Sequence, residues 1–168
     1  MPFNVEIKAR ASDWDAQLKS GLALAGRVER LTQTDTFFNF ANGRLKLRRQ
    51  RGAWDYLVFY RRPGLKGPKI SDYRIVPLTA AAPVLRRFSK LLGVLKKVVK
   101  KRIVCLTGRT RIHFDEVKGL GRFIELEVVL RRGEAPAKGR LEAGKLMALL
   151  NIKKRDLVSG AYADMIED

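Results

Sequence analysis

Apolar and polar residues alternate along most of the chain, and this pattern predicts a protein built mainly from β-strands. In residues 3–10, for example, Val5, Ile7 and Ala9 alternate with polar neighbours. A period of two residues is typical of strands that bury one face. The pattern predicts eight strands, at residues 3–10, 28–40, 44–50, 54–62, 69–76, 97–107, 109–116 and 122–131.

Three other segments have the spacing of amphipathic helices. Residues 13–24 follow Ser12, a candidate N-cap, and residues 80–92 and 137–150 also carry regularly spaced apolar side chains. The predicted order of elements is β-α-ββββ-α-βββ-α, and most connections have hairpin length, which favours antiparallel pairing. We therefore expect an α+β fold: an eight-stranded, mainly antiparallel β-barrel or tunnel with helices packed outside.

Length and composition favour one folded domain over residues 1–168. Hydrophobic residues make up 46% of the chain, which excludes a disordered protein. The single cysteine, Cys105, excludes an intramolecular disulfide and fits a reducing compartment. No segment reaches the roughly 18 apolar residues that a membrane span needs, and the first ten residues do not look like a signal peptide. We therefore expect a cytoplasmic protein with no membrane partner.

The charge balance is unusual and predicts an anionic partner. The chain has 35 Lys and Arg against 17 Asp and Glu, a formal net charge of +18. Such a charge favours binding of phosphate, nucleic acid or an acidic membrane surface, and composition alone does not choose among them. The basic run at residues 96–102 is expected to lie partly in the strand lining and partly on an exposed edge, where lysines protect against unwanted pairing.

The polar faces of the predicted strands carry many cations and a few carboxylates. In residues 44–50 the cations are Arg44, Lys46 and Arg48, and in residues 122–131 the carboxylates are Glu125 and Glu127. One interpretation is a solvated outer face. The other is a closed barrel with these faces inside, where buried charges need partners. Triphosphate would neutralise the cations, and a divalent metal would bind the carboxylates.

Several segments together resemble the CYTH superfamily, the triphosphate tunnel metalloenzymes, and within it the bacterial class IV adenylate cyclase-like branch. Residues 4–10 (NVEIKAR) are similar to the family signature ExExK followed by arginine. Further matches, in family order, are residues 33–38 (QTDTFF), 43–48 (GRLKLR), 60–63 (YRRP), 67–73 (GPKISDY), 100–102 (KKR), 119–121 (GLG) with Glu125, and the Tyr162-x-Asp164 tail.

The resemblance implies an eight-stranded antiparallel tunnel that binds a triphosphate with Mg²⁺ or Mn²⁺. By position it implies metal ligands at Glu6, Asp115, Glu125 and Glu127, and catalytic roles for Glu6, Lys8 and Glu125. The substrate-binding cations that it implies are Lys8, Arg10, Lys46, Arg48, Arg61, Lys69, Lys100, Arg102, Arg109 and Arg111. His113 shares a strand face with Asp115 and is a further candidate acid or base.

One position departs from the signature, because Asn4 stands where the first glutamate is expected. Asparagine offers a carbonyl oxygen but no negative charge. The departure therefore points to a single metal ion, an altered substrate or a reduced activity.

The function that the resemblance implies is metal-dependent hydrolysis of a triphosphate such as ATP, tripolyphosphate or thiamine triphosphate. A first alternative is a class IV adenylate cyclase that converts ATP to cyclic AMP and pyrophosphate. A second alternative is a non-catalytic module that binds polyphosphate or RNA, since the cations outside the expected lining could form a nucleic-acid surface. A monomer and a homodimer are both compatible with the sequence.

Overall fold

Eight β-strands close into a barrel in the structure of this protein, a computed structural model that describes residues 3–61 and 69–167. The strands, numbered in chain order, are β1 Phe3–Arg10, β2 Arg27–Phe38, β3 Arg44–Gln50, β4 Asp55–Arg61, β5 Lys69–Leu78, β6 Val94–Thr107, β7 Thr110–Val117 and β8 Gly121–Val129. Around the barrel they follow the order β1-β5-β4-β3-β2-β6-β7-β8, with every neighbouring pair antiparallel and β8 paired with β1.

Three α-helices complete the fold: α1 Trp14–Leu24, α2 Ala81–Leu92 and α3 Pro136–Leu149. Two short 3-10 helices, Lys154–Asp156 and Tyr162–Asp164, follow α3. The predicted α+β barrel and its order of elements are confirmed. The predicted cap of α1 was wrong by one residue: the Asp13 carboxylate accepts the Ala16 N–H, whereas Ser12 donates to Asp156.

The apolar faces of the strands point outward, beneath the helices. Val5, Ile7, Phe114 and Leu126 are almost completely buried in a cluster that also contains residues of α1 and α3. A second cluster places Leu47 and its neighbours beneath α2. Because side chains alternate along a strand, covering the apolar faces from outside turns the polar faces into the barrel. The closed-barrel interpretation of the polar faces is therefore correct.

One end of the barrel is closed by side chains of the C-terminal segment. Tyr162 and Ala163 pack against Phe37, Val117 and Phe123, which lie near the ends of β2, β7 and β8 on the same side. The ring centroids of Phe123 and Tyr162 are 5.0 Å apart in an edge-to-face arrangement. This end is filled by packed aromatic and aliphatic groups.

Strand β6 pairs with β2 along most of its length but with β7 only from Lys100 onward, so the expected edge is confined to the part of residues 96–102 that precedes Lys100. Lys100 and Arg102 point into the barrel, as expected for a lining strand, whereas Lys97 and Lys101 are exposed on the outer face.

None of the helices in the described ranges combines the length and apolar character required to cross a membrane.

Close packing of α1 on β7 gives a test of the fold. A Cβ atom added at Gly21 would lie 2.4 Å from Cε2 of Phe114, whose side chain is completely buried. We expect Gly21→Ala to lower the free energy of unfolding by about 1–3 kcal/mol, because overpacking outweighs the gain in helix propensity. Urea unfolding followed by circular dichroism measures the change.

The matched control is Gly144→Ala in α3, where an added Cβ would have no neighbour within 4 Å. This variant is expected to raise the free energy of unfolding by up to about 1 kcal/mol, since alanine is the better helix former. A Gly21→Ala protein as stable as the control variant would contradict the described packing.

Candidate active site

A cavity of about 520 Å³ lies inside the barrel and is lined by residues of all eight strands. Its charged lining contains six cations, which are Lys8, Lys46, Arg48, Lys100, Arg102 and Arg111. Five carboxylates, those of Glu6, Glu29, Asp35, Glu125 and Glu127, line the same cavity. The fully buried Asp115 contacts two of the cations, so the described site has as many carboxylates as cations.

Asp35 on β2 organises one half of the cations. Its carboxylate accepts hydrogen bonds from Arg48 at 2.7 and 2.8 Å and from Lys46 Nζ at 2.8 Å. Burial by itself would raise the pKa of Asp35, but the nearby cations hold that pKa well below its usual value. Burial and the neighbouring Arg48 lower the pKa of Lys46 to about 8.

Asp115 on β7 organises the other half. Arg102 donates from Nε and Nη2 to the two Asp115 oxygens, at 2.6 and 2.5 Å, and the Tyr162 hydroxyl donates to Oδ2 at 2.8 Å. Burial opposes ionisation of Asp115, but Arg102 and Lys100 lower its pKa to about 2. Asp115 is therefore ionised at neutral pH and already accepts three hydrogen bonds.

Lys100 on β6 joins the two halves. Its Nζ lies 4.0 Å from Asp35 and 3.7 Å from Asp115, and the side chain is 3% exposed. Burial and the charge of Arg102 lower the pKa of Lys100 to about 7, despite these two carboxylates.

The carboxylates of β8 are also paired with cations. Glu125 lies 3.1 Å from Lys8 Nζ and 2.7 Å from Arg102, and Glu127 accepts from Arg111 Nε at 2.8 Å. Although burial would raise the pKa values of both glutamates, these cations and His113 lower them. Both side chains are therefore ionised at neutral pH.

Oxygen donors meet where β1 pairs with β8. Glu6 stands directly opposite Glu127 in the ladder, where the two Cβ atoms are about 5 Å apart. The Asn4 amide donates to Glu127, while its own Oδ1 is buried and makes no hydrogen bond to any described residue. Among residues 3–61 and 69–167, no group of three or more His, Cys, Asp or Glu is arranged as a ready metal cluster.

Most of the site residues expected from the sequence are gathered in or beside this cavity. They are Glu6, Lys8, Lys46, Arg48, Lys100, Arg102, Arg111, Asp115, Glu125 and Glu127. His113 lies among them, 3.7 Å from Glu125 and 3.8 Å from Glu127, and burial with the nearby Arg102 lowers its pKa. Lys69 is opposite Glu6 in the ladder, but its side chain lies outside the described part of the structure.

The structure places three of the expected substrate-binding arginines away from the cavity. Arg10 is exposed beyond the packed end of the barrel, 5.0 Å from the Phe123 ring. Arg61 is exposed on the outer face and donates to a loop carbonyl. Arg109 precedes β7 and pairs with Glu134 and Glu142 outside the barrel.

Two residues that lie in matched segments, but to which the sequence assigned no role, hold the site together. Asp35 occupies the inward face of β2 together with Gln33 and Phe37, but polar residues on both sides hide the alternation. Tyr162 comes from the C-terminal segment, where only the tail motif marks it. The Tyr162 ring centroid lies 3.9 Å from Lys8 Nζ, and the Gly160 carbonyl accepts from the same nitrogen.

A family model of the CYTH domain matches residues 2–162. The chain belongs to the CYTH domain family. A search of curated proteins finds no significant match. Members of the CYTH family that are enzymes act as triphosphatases or adenylate cyclases and depend on divalent metal.

Solved structures with similar folds span almost the whole CYTH chain. PH1012 of Pyrococcus horikoshii OT3 is 18% identical with a TM-score of 0.87, and 98% of this chain and 99% of that chain are covered. A candidate adenylate cyclase of Vibrio parahaemolyticus is 20% identical with a TM-score of 0.78 and 97% of both chains covered. HpAC1 of Hippeastrum, which has a dominant triphosphatase activity, is 18% identical with a TM-score of 0.63, with 94% and 91% covered. These similarities show the fold.

The donor set beside β1 and β8 fits the divalent metal on which CYTH enzymes depend. Glu6, Glu127 and the unpartnered Asn4 Oδ1 are hard oxygen donors. Mg²⁺ is usually held by one or two carboxylates together with substrate phosphates and water, so a cage of three protein carboxylates is not required.

The central role of Asp35 gives a test of the site in this CYTH protein. Asp35→Asn leaves Lys46, Arg48 and Lys100 without their shared carboxylate, and we expect the free energy of unfolding to fall by about 3–5 kcal/mol at pH 7. The folded pKa of Asp35 is below its unfolded value, so its contribution is complete above about pH 4 and is lost as the pH falls further. The difference between the two proteins should therefore shrink at pH 3.

Urea unfolding at the two pH values measures this effect. The matched control, Glu116→Gln, removes the partner of Arg122 in a pair that is about half exposed, and should change stability by less than about 1 kcal/mol. An Asp35→Asn protein as stable as this control would show that the buried network does not depend on Asp35.

Proposed function

We propose that the protein binds a triphosphate in the barrel cavity and hydrolyses it with Mg²⁺ or Mn²⁺. The observation that carries this proposal is the convergence of six cations on one cavity, from β1, β3, β6 and β7. Arginine donates in a planar fork to phosphate oxygens and lysine acts as a point charge, so the lining suits a chain of phosphates.

The charge balance of the cavity favours a metal-bound triphosphate over a free polyanion. The described site holds six cations and six carboxylates, so a free polyanion would be repelled by the carboxylates as well as attracted by the cations. A triphosphate that arrives with a divalent metal satisfies both sets, because phosphate oxygens face the cations while the metal faces carboxylates.

The residues have separate roles in this proposal. Glu6 and Glu127 hold the metal, with Asn4 Oδ1 as a neutral donor. When bound, such a metal neutralises charge on the phosphate oxygens and lowers the pKa of a water molecule. Lys8 contacts both substrate and Glu125, and Glu125 fixes the positions of Lys8 and Arg102.

Substrate binding is assigned to the cations that line the cavity. Lys46 and Arg48 bind one part of the phosphate chain from β3, while Lys100 and Arg102 bind from β6. Arg111 contributes from the side of Glu127. The dominant triphosphatase activity of HpAC1, which has a similar fold, also favours hydrolysis.

Cyclisation of ATP is the second candidate function. One wall of the cavity carries Val58, Tyr60, Tyr73 and Ile75, which offers an apolar and aromatic surface for a nucleoside. The similar fold of the Vibrio protein, a candidate adenylate cyclase, favours this alternative.

Product analysis distinguishes the candidates. The protein is incubated with ATP, tripolyphosphate or thiamine triphosphate, each with Mg²⁺, Mn²⁺ or EDTA, and the products are separated by anion-exchange chromatography. We expect orthophosphate only with metal present. Cyclic AMP and pyrophosphate would instead establish the cyclase. Binding without turnover would leave a polyphosphate-binding module, and neither binding nor turnover would contradict the assignment of the cavity.

Two arginine–glutamate pairs test the location of the site. Arg111→Gln removes a cavity cation paired with Glu127, and kcat/KM for the preferred triphosphate should fall by about 10- to 100-fold, the loss expected for a hydrogen bond to a charged group. Arg122→Gln changes the same residue type in the exposed pair with Glu116 and should leave kcat/KM within about twofold. Equal losses in steady-state assays of the two variants would exclude the cavity as the site.

The pKa of Lys46, about 8, predicts how affinity depends on pH. Above pH 8 the free protein loses the Lys46 proton, and Lys46 must take a proton up again when triphosphate binds, so this group alone lowers the affinity by up to about tenfold per pH unit. Lys46→Arg stays protonated. Lys100, whose pKa is about 7, titrates in the variant and in the wild type alike. Calorimetric titration of both proteins from pH 7 to pH 10 should give an affinity ratio, variant over wild type, that grows above pH 8. The ionisation of the ligand cancels in this ratio, and a constant ratio would contradict the prediction.

A further inference from the structure

The described residues of the cavity carry no net charge, so the positive charge of the protein comes from its other residues. Removing the six cations and six carboxylates of the described site from the totals of 35 and 17 leaves 29 cations and 11 carboxylates. The whole surplus of +18 therefore belongs to the rest of the chain. A triphosphate in the cavity does not neutralise it.

Five of these cations share one outer face of the barrel, which we name the basic face: Arg30, Arg49, Arg51, Lys97 and Lys101. All five side chains are exposed. Since inward residues of β2 include Gln33 and Asp35, the alternate position Arg30 points outward, and Arg49 of β3 does so by the same alternation.

Strand register brings these cations side by side. Thr32 of β2 pairs with Lys101 of β6, and Arg51 donates its backbone N–H to the Thr32 carbonyl. Two residues further along β2, Thr34 pairs with both Arg49 and Val99. Neighbouring strands are about 4.8 Å apart, and Lys97 and Lys101 lie about 13 Å apart along β6. The cations are therefore spread over a patch of three neighbouring strands.

Edge protection does not explain Lys101, one of the two outward lysines of β6. Lys101 lies between two partner strands, opposite Thr32 and Glu116, whereas Lys97 lies in the part of β6 that pairs with β2 alone. The helices cover neighbouring parts of the sheet: α3 packs on β1 and β8, α1 packs on β6 at Ile103 and Cys105, and the α2 cluster lies over Leu45 and Leu47. The basic face is left open to solvent.

The residues between the cations indicate the kind of partner. Thr32, Thr34 and Val99 lie between the cations, offer hydroxyl groups and a small apolar side chain, and cannot stack on a base. The aromatic Trp54, which is 61% exposed, lies at the border in the loop that follows Arg51. At the borders, Asp55 lies 3.9 Å from Arg49, and Glu116 pairs with Arg122. Cations and hydroxyl donors on an outward sheet face suit the phosphate backbone of a double helix, whose bases are already stacked.

We propose that the basic face binds the phosphate backbone of double-stranded nucleic acid, independently of the barrel cavity. Binding is not specific for sequence, because only backbone groups are contacted. Five phosphate contacts predict a slope of about −4.5 in log affinity against log salt, and affinities in the micromolar range near physiological salt.

Fluorescence anisotropy with a labelled 20-base-pair DNA duplex tests the proposal, with salt varied from 50 to 200 mM. The variant Arg30→Gln/Lys97→Gln/Lys101→Gln should bind at least tenfold more weakly at 100 mM salt, with a slope that is less steep by about 3. The matched control, Arg132→Gln/Lys138→Gln/Lys145→Gln, removes the same charge from exposed positions in or just before α3, across the barrel. It should lose less than threefold.

Further arms separate other partners and the cavity. Duplex RNA is expected to bind through the same residues, whereas single-stranded RNA and vesicles with anionic lipid should bind more weakly. Tripolyphosphate with Mg²⁺ at saturation should not displace the duplex. The proposal would be overturned if the two triple variants lost equal affinity for the duplex, or if tripolyphosphate displaced the duplex. It would also be overturned by tighter binding to single strands or vesicles, or by no binding at 100 mM salt. Turnover of triphosphate in the basic-face variant is measured separately and bears only on the cavity.

Discussion

Buried carboxylates make it possible for this barrel to close over its own cations. Arg102 and Lys100 would repel each other inside a barrel without Asp115, and Lys46 and Arg48 depend on Asp35 in the same way. An uncompensated buried charge costs several kcal/mol. Closure in turn allows the helices to cover the apolar strand faces, so the hydrophobic core lies around the barrel rather than within it.

The same ion pairs prepare the cavity for a ligand, because the cavity cations have carboxylate partners before any ligand binds. Each guanidinium is held by a carboxylate in an orientation that is fixed before any phosphate arrives, which reduces the ordering required on binding. The tyrosine hydroxyl on Asp115 and the carbonyl of Gly160 on Lys8 extend this support to the C-terminal segment. Binding and structural roles are therefore carried by one network.

Period-two alternation predicted the strands, the closed barrel and the inward face of most site residues. It could not predict how far along the barrel axis a residue lies, so Arg10 and Arg109 share the inward alternation but fall beyond the cavity. Arg61 follows the inward Tyr60 and so points outward. Asp35 lies in the matched segment 33–38 but received no role, because polar neighbours on both faces of β2 obscure the alternation.

Closure of the barrel joins β1, its first strand in chain order, with β8, and the site is complete only when Tyr162 is in place. During translation, β1 therefore has neither of its sheet partners until β5 emerges, and the ionic interior stays hydrated until the last strand arrives. Folding with such distant contacts is slow, because the loop between them must close first. The nascent chain is thus expected to expose its apolar strand faces for most of its synthesis, which makes it a natural client for chaperones.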